Sequence, residues 1–209
     1  MNDLKTMLYF ALLSGSAALA SSGMARAEME DMHHHHHMMM SDSSGYQSTL
    51  AAYEVPDVKL MDKEGAAVSL RDDLAGDEPV MLNFIFTSCT SICPVMSSTF
   101  QQVQQQLGEE GGKVRMVSIS IDPEHDTPAR LHEYAERYRA NGNWQMLTGK
   151  LEDSIAVQRA FGAFRGDKMN HAPATYLRAG GPGTPWLRLD GFASASDIIR
   201  EYHQLAHHH

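Results

Sequence analysis

An α/β fold with a mixed sheet is the class this sequence predicts, and three observations predict it. The continuous apolar run at 79–86 ("PVMLNFIF") reads as a strand covered on both faces, and 114–121 ("VRMVSISI") as a second buried strand. Stretches with helical periodicity separate and follow them. Near the end, "ATYLRA" and "TPWLRLDG" face each other across Gly180–Gly183, the pattern of an antiparallel hairpin.

Each element has its own justification, in chain order. "DVKLMD" (57–62) and "AVSL" (67–70) form a short hairpin around the turn Lys63–Gly65. The run at 79–86 is the first buried strand. A helix follows over 97–110, with Phe100, Val103 and Leu107 on one face and Gly111–Gly112 as its stop. After the strand at 114–121, a helix spans 127–140, with Thr127 as N-cap and Pro128 at its first position. "WQMLTG" is a third, shorter strand, and 151–164 is another helix. The hairpin of 174–191 leads to a last helix over 194–206, capped by Ser194 or Ser196. Strand, helix, strand, helix, strand, helix, hairpin, helix matches a thioredoxin-like three-layer sandwich, here preceded by an extra N-terminal hairpin.

Before the domain lie two segments of different character. Residues 1–27 read as a signal peptide: Lys5, the 14-residue apolar run Met7–Ala20, then an A-x-A cleavage pattern at Ala25–Ala27. That run is short for a span, which needs about 20 apolar residues. Residues 28–51 read as disordered, with almost no aliphatic content and no period. The folded domain is expected over 52–206, with 207–209 a histidine tail. The formal net charge of −9 argues against nucleic acid, which requires a basic footprint. Export places the chain in the periplasm or another exported location, where free thiols close to a disulfide unless reduced or metallated.

The chain has two cysteines, Cys89 and Cys93, in "FIFTSCTSICPV". As a stabilising staple the pair is weak, because a loop this short restricts the unfolded chain little. Cys89 lies just past a strand and Cys93 at the start of the following helix. One turn of helix brings such side chains to within about 5–6 Å of each other at Cβ. The N–H groups and dipole of a helix start favour thiolates, which are both metal ligands and redox nucleophiles. Two soft thiolates suit Cu(I), zinc or iron–sulfur chemistry, but structural zinc takes four protein ligands, so a cysteine-only zinc or cluster site is excluded. Two sulfurs and one histidine would make a three-coordinate copper site. Outside the histidine runs the candidates are His125, His132, His171 and His203. His132 and His203 lie on helices beside charges, and His125 in the loop "DPEHDTP"; these read as surface residues. His171, in "KMNHAPATYL", precedes a strand that in this topology lies beside the cysteine strand, so its loop faces the cysteine helix.

From Ala52 to Ala206 the sequence resembles the SCO/SenC family of copper-handling proteins. Three stretches carry the resemblance: "CTSICP", similar to the family's C-x-x-x-C-P; "SISIDPEHDTP", similar to its strand leading into D-P-x-x-D-T-P; and the histidine of "NHAPATYL". The resemblance implies that Cys89, Cys93 and His171 bind Cu(I) or Cu(II). It also implies a role in assembling the dinuclear copper centre of cytochrome c oxidase, as copper donor or as reductant of that centre's cysteines. The partner implied is an exported or membrane protein that accepts copper, a cytochrome c oxidase subunit. The mature chain is not expected to span a membrane. The spacer Thr90, Ser91 and Ile92 differs from the C-P-D-x-C of many members.

Two further features stay open at this level. "MHHHHHMMM" offers His33, His34, His35, His36 and His37 with Met38, Met39 and Met40, imidazoles and thioethers fit for copper in either state, or else an expression tag. "DPEHDTP" reads as a carboxylate-capped turn before a helix, or as part of the copper site's surroundings. Three activities compete. A copper carrier uses Cys89, Cys93 and His171 without turnover. A thiol–disulfide oxidoreductase uses Cys89 and Cys93, which form a disulfide when oxidised. A peroxidase of peroxiredoxin type would use Ser88 and one attacking cysteine, but no arginine stands close in sequence.

Overall fold

The structure, a computed structural model, describes residues 45–111 and 113–207. The signal segment and the histidine–methionine tract lie outside the described residues. Among those described, eight strands form one sheet in the order β1-β8-β7-β4-β5-β6-β2-β3. They are β1 (Tyr46–Ala51), β2 (Lys59–Asp62), β3 (Ala67–Ser69), β4 (Val80–Ile85), β5 (Arg115–Ser120), β6 (Trp144–Thr148), β7 (Ala174–Arg178) and β8 (Trp186–Gly191). The helices are α1 (Leu70–Asp73), α2 (Ile92–Gly111), α3 (Pro128–Arg137), α4 (Leu151–Ala160) and α5 (Ala195–His207).

The centre of the sheet follows from composition. All six residues of β4 are buried. Successive strand side chains point to opposite faces, so β4 must be covered on both, which makes three layers. β4, β5 and β6 run parallel, joined through helices, and β7 adds antiparallel to β4. β2–β3 is the expected N-terminal hairpin, seated antiparallel on β6. Phe84, Phe161, Tyr176 and Trp186 form an aromatic centre, with Phe161 5.3 Å from Tyr176 and 5.1 Å from Trp186, ring centre to ring centre. Such edge-on pairs add about 0.5–1.5 kcal/mol each beyond area burial.

The helix ends obey local chemistry. Thr127 caps α3 by accepting from the Arg130 N–H, with Pro128 next. Ser194, rather than Ser196, caps α5. Its hydroxyl accepts from the Asp197 N–H at 3.2 Å, and the Asp197 carboxylate accepts from the Ser194 N–H at 3.0 Å.

Three expectations need correction. Residues 46–51, read as part of a disordered 28–51 segment, form β1, paired with β8 along six positions from Tyr46↔Gly191 to Ala51↔Trp186. The strand carries no apolar alternation because Gln47, Ser48 and Thr49 are exposed at a sheet edge; its order comes from the ladder on β8. Tyr46 anchors it, donating to Glu201 of α5 at 2.6 Å and accepting from Arg200 at 2.8 Å. Gly191 makes the approach possible: its φ is +116°, and a Cβ there would sit 2.4 Å from the Gly45 carbonyl oxygen. The domain therefore begins six residues before Ala52. Second, α2 starts at Ile92, not 97, and its backbone breaks at Gly108 (φ 52°, ψ −121°), ahead of Gly111–Gly112. Third, α5 runs through His207, the first residue assigned to the tail.

Candidate metal centre

The carboxyl end of β4 turns at Thr87 and Ser88 into Cys89, whose N–H donates to the Phe86 carbonyl at 3.1 Å. The early start of α2 places Cys93 in its first turn. The Cys93 N–H, one of the helix's free donors, points at the Cys89 sulfur at 3.4 Å. The Cys93 sulfur in turn accepts from the Phe86 N–H at 3.4 Å. Both residues are free thiols, Cys89 half-buried and Cys93 with no exposed surface.

These contacts separate the two sulfurs chemically. Burial opposes ionisation of Cys89, but the backbone N–H groups of Cys93 and Ser91, helped by their side chains, outweigh it and lower its pKa. Burial raises the Cys93 pKa, and the nearby Cys89 and Asp126 push it further up. Cys89 is therefore the more acidic thiol of the pair, and Cys93 the one that resists ionisation.

His171 enters from the loop before β7. β7 lies antiparallel beside β4, with Thr175 opposite Asn83, so this loop meets the carboxyl end of the cysteine strand. His171 is 8% exposed, and its Nε2 has no hydrogen-bond partner. Burial lowers its pKa, with a backbone bond at Phe84 opposing and the Arg165 charge assisting. The ring is therefore a neutral imidazole with an open nitrogen, the form that ligates a metal. Cys89 and His171 line one small cavity of about 60 Å³, with Phe86, Ile92, Lys168 and Met169. Cys93 does not line it. Among the described residues, no three His, Cys, Asp or Glu side chains are already converged on one point; the cavity brings together two of the three predicted residues.

The other histidines fall as expected or nearly so. His125 and His132 have largely exposed side chains, beside Asp122 at 2.9 Å and Glu136 at 3.6 Å. His203 is half-buried on α5, its ring 5.2 Å from Tyr202.

Within the "DPEHDTP" loop Thr127 caps α3, and the two aspartates face the site's surroundings, the second of the two readings left open above. Asp126 is fully buried and accepts from the Thr87 N–H at 3.1 Å, the Thr87 hydroxyl at 2.6 Å and the Ser120 hydroxyl at 2.6 Å. Asp122 accepts from Lys168, on the short turn Lys168–Asn170 that leads into His171. One loop thus grips both the cysteine turn and the histidine segment. Thr87 and Lys168 were not legible as site residues: a lone threonine and a lone lysine carry no signal until the chain folds.

Comparison with known proteins gives a consistent picture. The SCO1 protein homolog of Bacillus subtilis is 38% identical over 104 residues, 49% of this chain and 53% of that protein. BsSco, described as a member of the Sco family of cytochrome c oxidase assembly proteins with a disulfide switch, superposes with a TM-score of 0.63 at 31% identity, covering 76% of this chain and 96% of its own. Bradyrhizobium japonicum ScoI, solved with copper bound, gives 0.53 at 26% identity, covering 65% and 88%. The chain spans about half the length of the curated relatives it matches. The fold is that of the Sco thioredoxin-like proteins, and the SCO1/SenC family pattern matches residues 46–205. This chain belongs to the SCO1/SenC family.

Proposed function

We propose that the chain is an exported copper carrier that holds one copper through Cys89, Cys93 and His171 and delivers it for assembly of the dinuclear copper centre of cytochrome c oxidase. The observation that carries this reading is the buried, unpartnered Nε2 of His171, a residue that lines one small cavity together with Cys89. A buried polar atom without a partner costs about 1–3 kcal/mol, which a bound cation offsets. The copper-bound structure of Bradyrhizobium japonicum ScoI lends support from a relative. Copper is cargo here. The acceptor would be an exported or membrane protein, and the export signal in 1–27 would place the chain in the periplasm. No described helix is long and apolar enough to cross a membrane. The tract His33, His34, His35, His36, His37, Met38, Met39 and Met40 would collect copper for the ordered site.

The test is copper stoichiometry and absorption of the reduced chain cut before Gly45, beside its Cys89→Ser and His171→Ala variants. A cut within 46–51 would remove β1. One copper per chain, lost in both variants, is expected. A domain that binds none without the tract would refute the ordered site.

A second reading has its own support. A lowered, accessible Cys89 and a raised, buried Cys93 form an attacking and a resolving thiol, as disulfide exchange requires. In that case His171→Ala leaves reductase activity largely intact.

A further inference from the structure

The end of β7 remote from His171 holds an anomaly that copper chemistry does not use. Arg178, the last residue of β7, is 4% exposed. One Nη donates to the Leu74 carbonyl, and the guanidinium lies 5.0 Å from the centre of the Trp186 ring. Its Nε has no partner, and among the described residues no carboxylate neutralises it. A buried cation without a counter-charge is costly, and natural proteins pair almost all of them. The side chain faces a cavity of about 280 Å³ walled by Tyr53, Val55, Leu74 and Trp186, with Arg71 on the wall as a second guanidinium. Arg71 is held there by its Nε, which donates to the Val55 carbonyl at 3.2 Å. Glu54 is the one acidic residue of the wall.

We propose that this cavity binds a small apolar monocarboxylate, with its carboxylate on the Arg178 and Arg71 guanidiniums and its body against Tyr53, Val55 and Trp186. A guanidinium fork matches a planar carboxylate in two parallel bonds, and Arg178 also carries a buried N–H, at Nε, that no acceptor in the fold satisfies. The walls leave few polar groups to replace the water around a more highly charged anion such as phosphate. At roughly 30 Å³ per water-sized atom, the cavity takes on the order of ten non-hydrogen atoms, the size of octanoate.

The experiment measures binding to the full chain by calorimetry and thermal shift, with octanoate, octanamide and inorganic phosphate as probes. Octanoate is expected to bind one per chain and to raise the melting temperature. Octanamide, of the same shape without charge, should bind at least about tenfold more weakly, since it loses the charge-assisted bonds. Phosphate should not compete. Arg178→Met should abolish octanoate binding, and it should melt at or above the parent temperature because an unpaired buried charge has gone. Equal binding of octanoate and octanamide, competition by phosphate, or no saturable octanoate binding at millimolar concentration each overturns the proposal. So does octanoate binding retained by Arg178→Met. Should that variant not fold, the octanoate–octanamide comparison on the unaltered chain decides alone.

Discussion

Cys89 and Cys93 are four residues apart on one turn of chain, yet they live in different surroundings. Cys89 closes the turn after β4, half-open to a cavity, with two backbone N–H groups aimed at its sulfur. Cys93 is the first buried side chain of α2, sealed in the core, and its sulfur accepts a single N–H. The lesson is that a helix start does not acidify every thiol near it. Donors favour the thiolate, burial opposes it, and the balance changes sign within one turn.

The widest expected difference between the two positions is in reactivity. In the metal-free, reduced chain at pH 7, iodoacetamide should modify Cys89 at least about a hundredfold faster than Cys93, read by peptide mass mapping. Comparable rates would erase the distinction.

Asp126 provides the next largest effect, because it holds the turn that presents Cys89. Asp126→Asn exchanges an acceptor-only group for one that must donate into a site already filled with donors. Denaturant unfolding should show a loss of about 2 kcal/mol. The selectivity of alkylation should narrow as the Thr87 tether loosens. Unchanged stability together with unchanged selectivity would show that the loop plays no part in positioning the thiolate.

The third prediction concerns the partner that both sulfurs would share. Burial depresses the His171 pKa below the ordinary 6.5. The unfolded chain therefore binds more protons than the folded one just under that value. The contribution to stability is intact above about pH 6.5 and declines as pH falls toward the depressed folded value. His171→Gln should show a shallower decline over this window in denaturant titrations at stepped pH. An identical slope would mean that the imidazole is not the group responsible.

Smallest of all is Ser91→Ala. The Ser91 hydroxyl lies 3.9 Å from the Cys89 sulfur, whereas the N–H groups of Ser91 and Cys93 remain in the variant. Cys89 alkylation should slow by no more than about twofold if the backbone carries the effect. A larger drop would transfer the credit to the side chain.

Much of this was readable in the chain. β4 and β5 announce themselves because a strand covered on both faces is rich in apolar and β-branched residues, with only Asn83 in β4 and Arg115, Ser118 and Ser120 in β5 interrupting them. Thr127–Pro128 and Ser194 mark helix starts because capping depends on residues adjacent in sequence. The likeness of "CTSICP" and "NHAPATYL" to one family pointed to Cys89, Cys93 and His171. β1 was missed because its side chains mostly face water, so nothing in Gln47–Thr49 distinguishes an edge strand from a tail. The role of Asp126 stayed open for a related reason: a carboxylate ahead of a helix can cap it or serve the site beside it, and only the folded chain brings Thr87 to it across thirty-nine positions.

The amino-acid sequence alone settled what is local or periodic: which runs are buried, where helices begin, and which residue types have metal and redox chemistry to offer. Folding decided what depends on distance through space. It made one of two like thiols more acidic and the other less, left the buried imidazole nitrogen of His171 without a partner beside the cavity that Cys89 lines, and stranded the Arg178 charge at the other end of the same strand. Ionisation and ligation depend on neighbours a few ångströms away, and those neighbours come from segments the chain holds far apart until it packs.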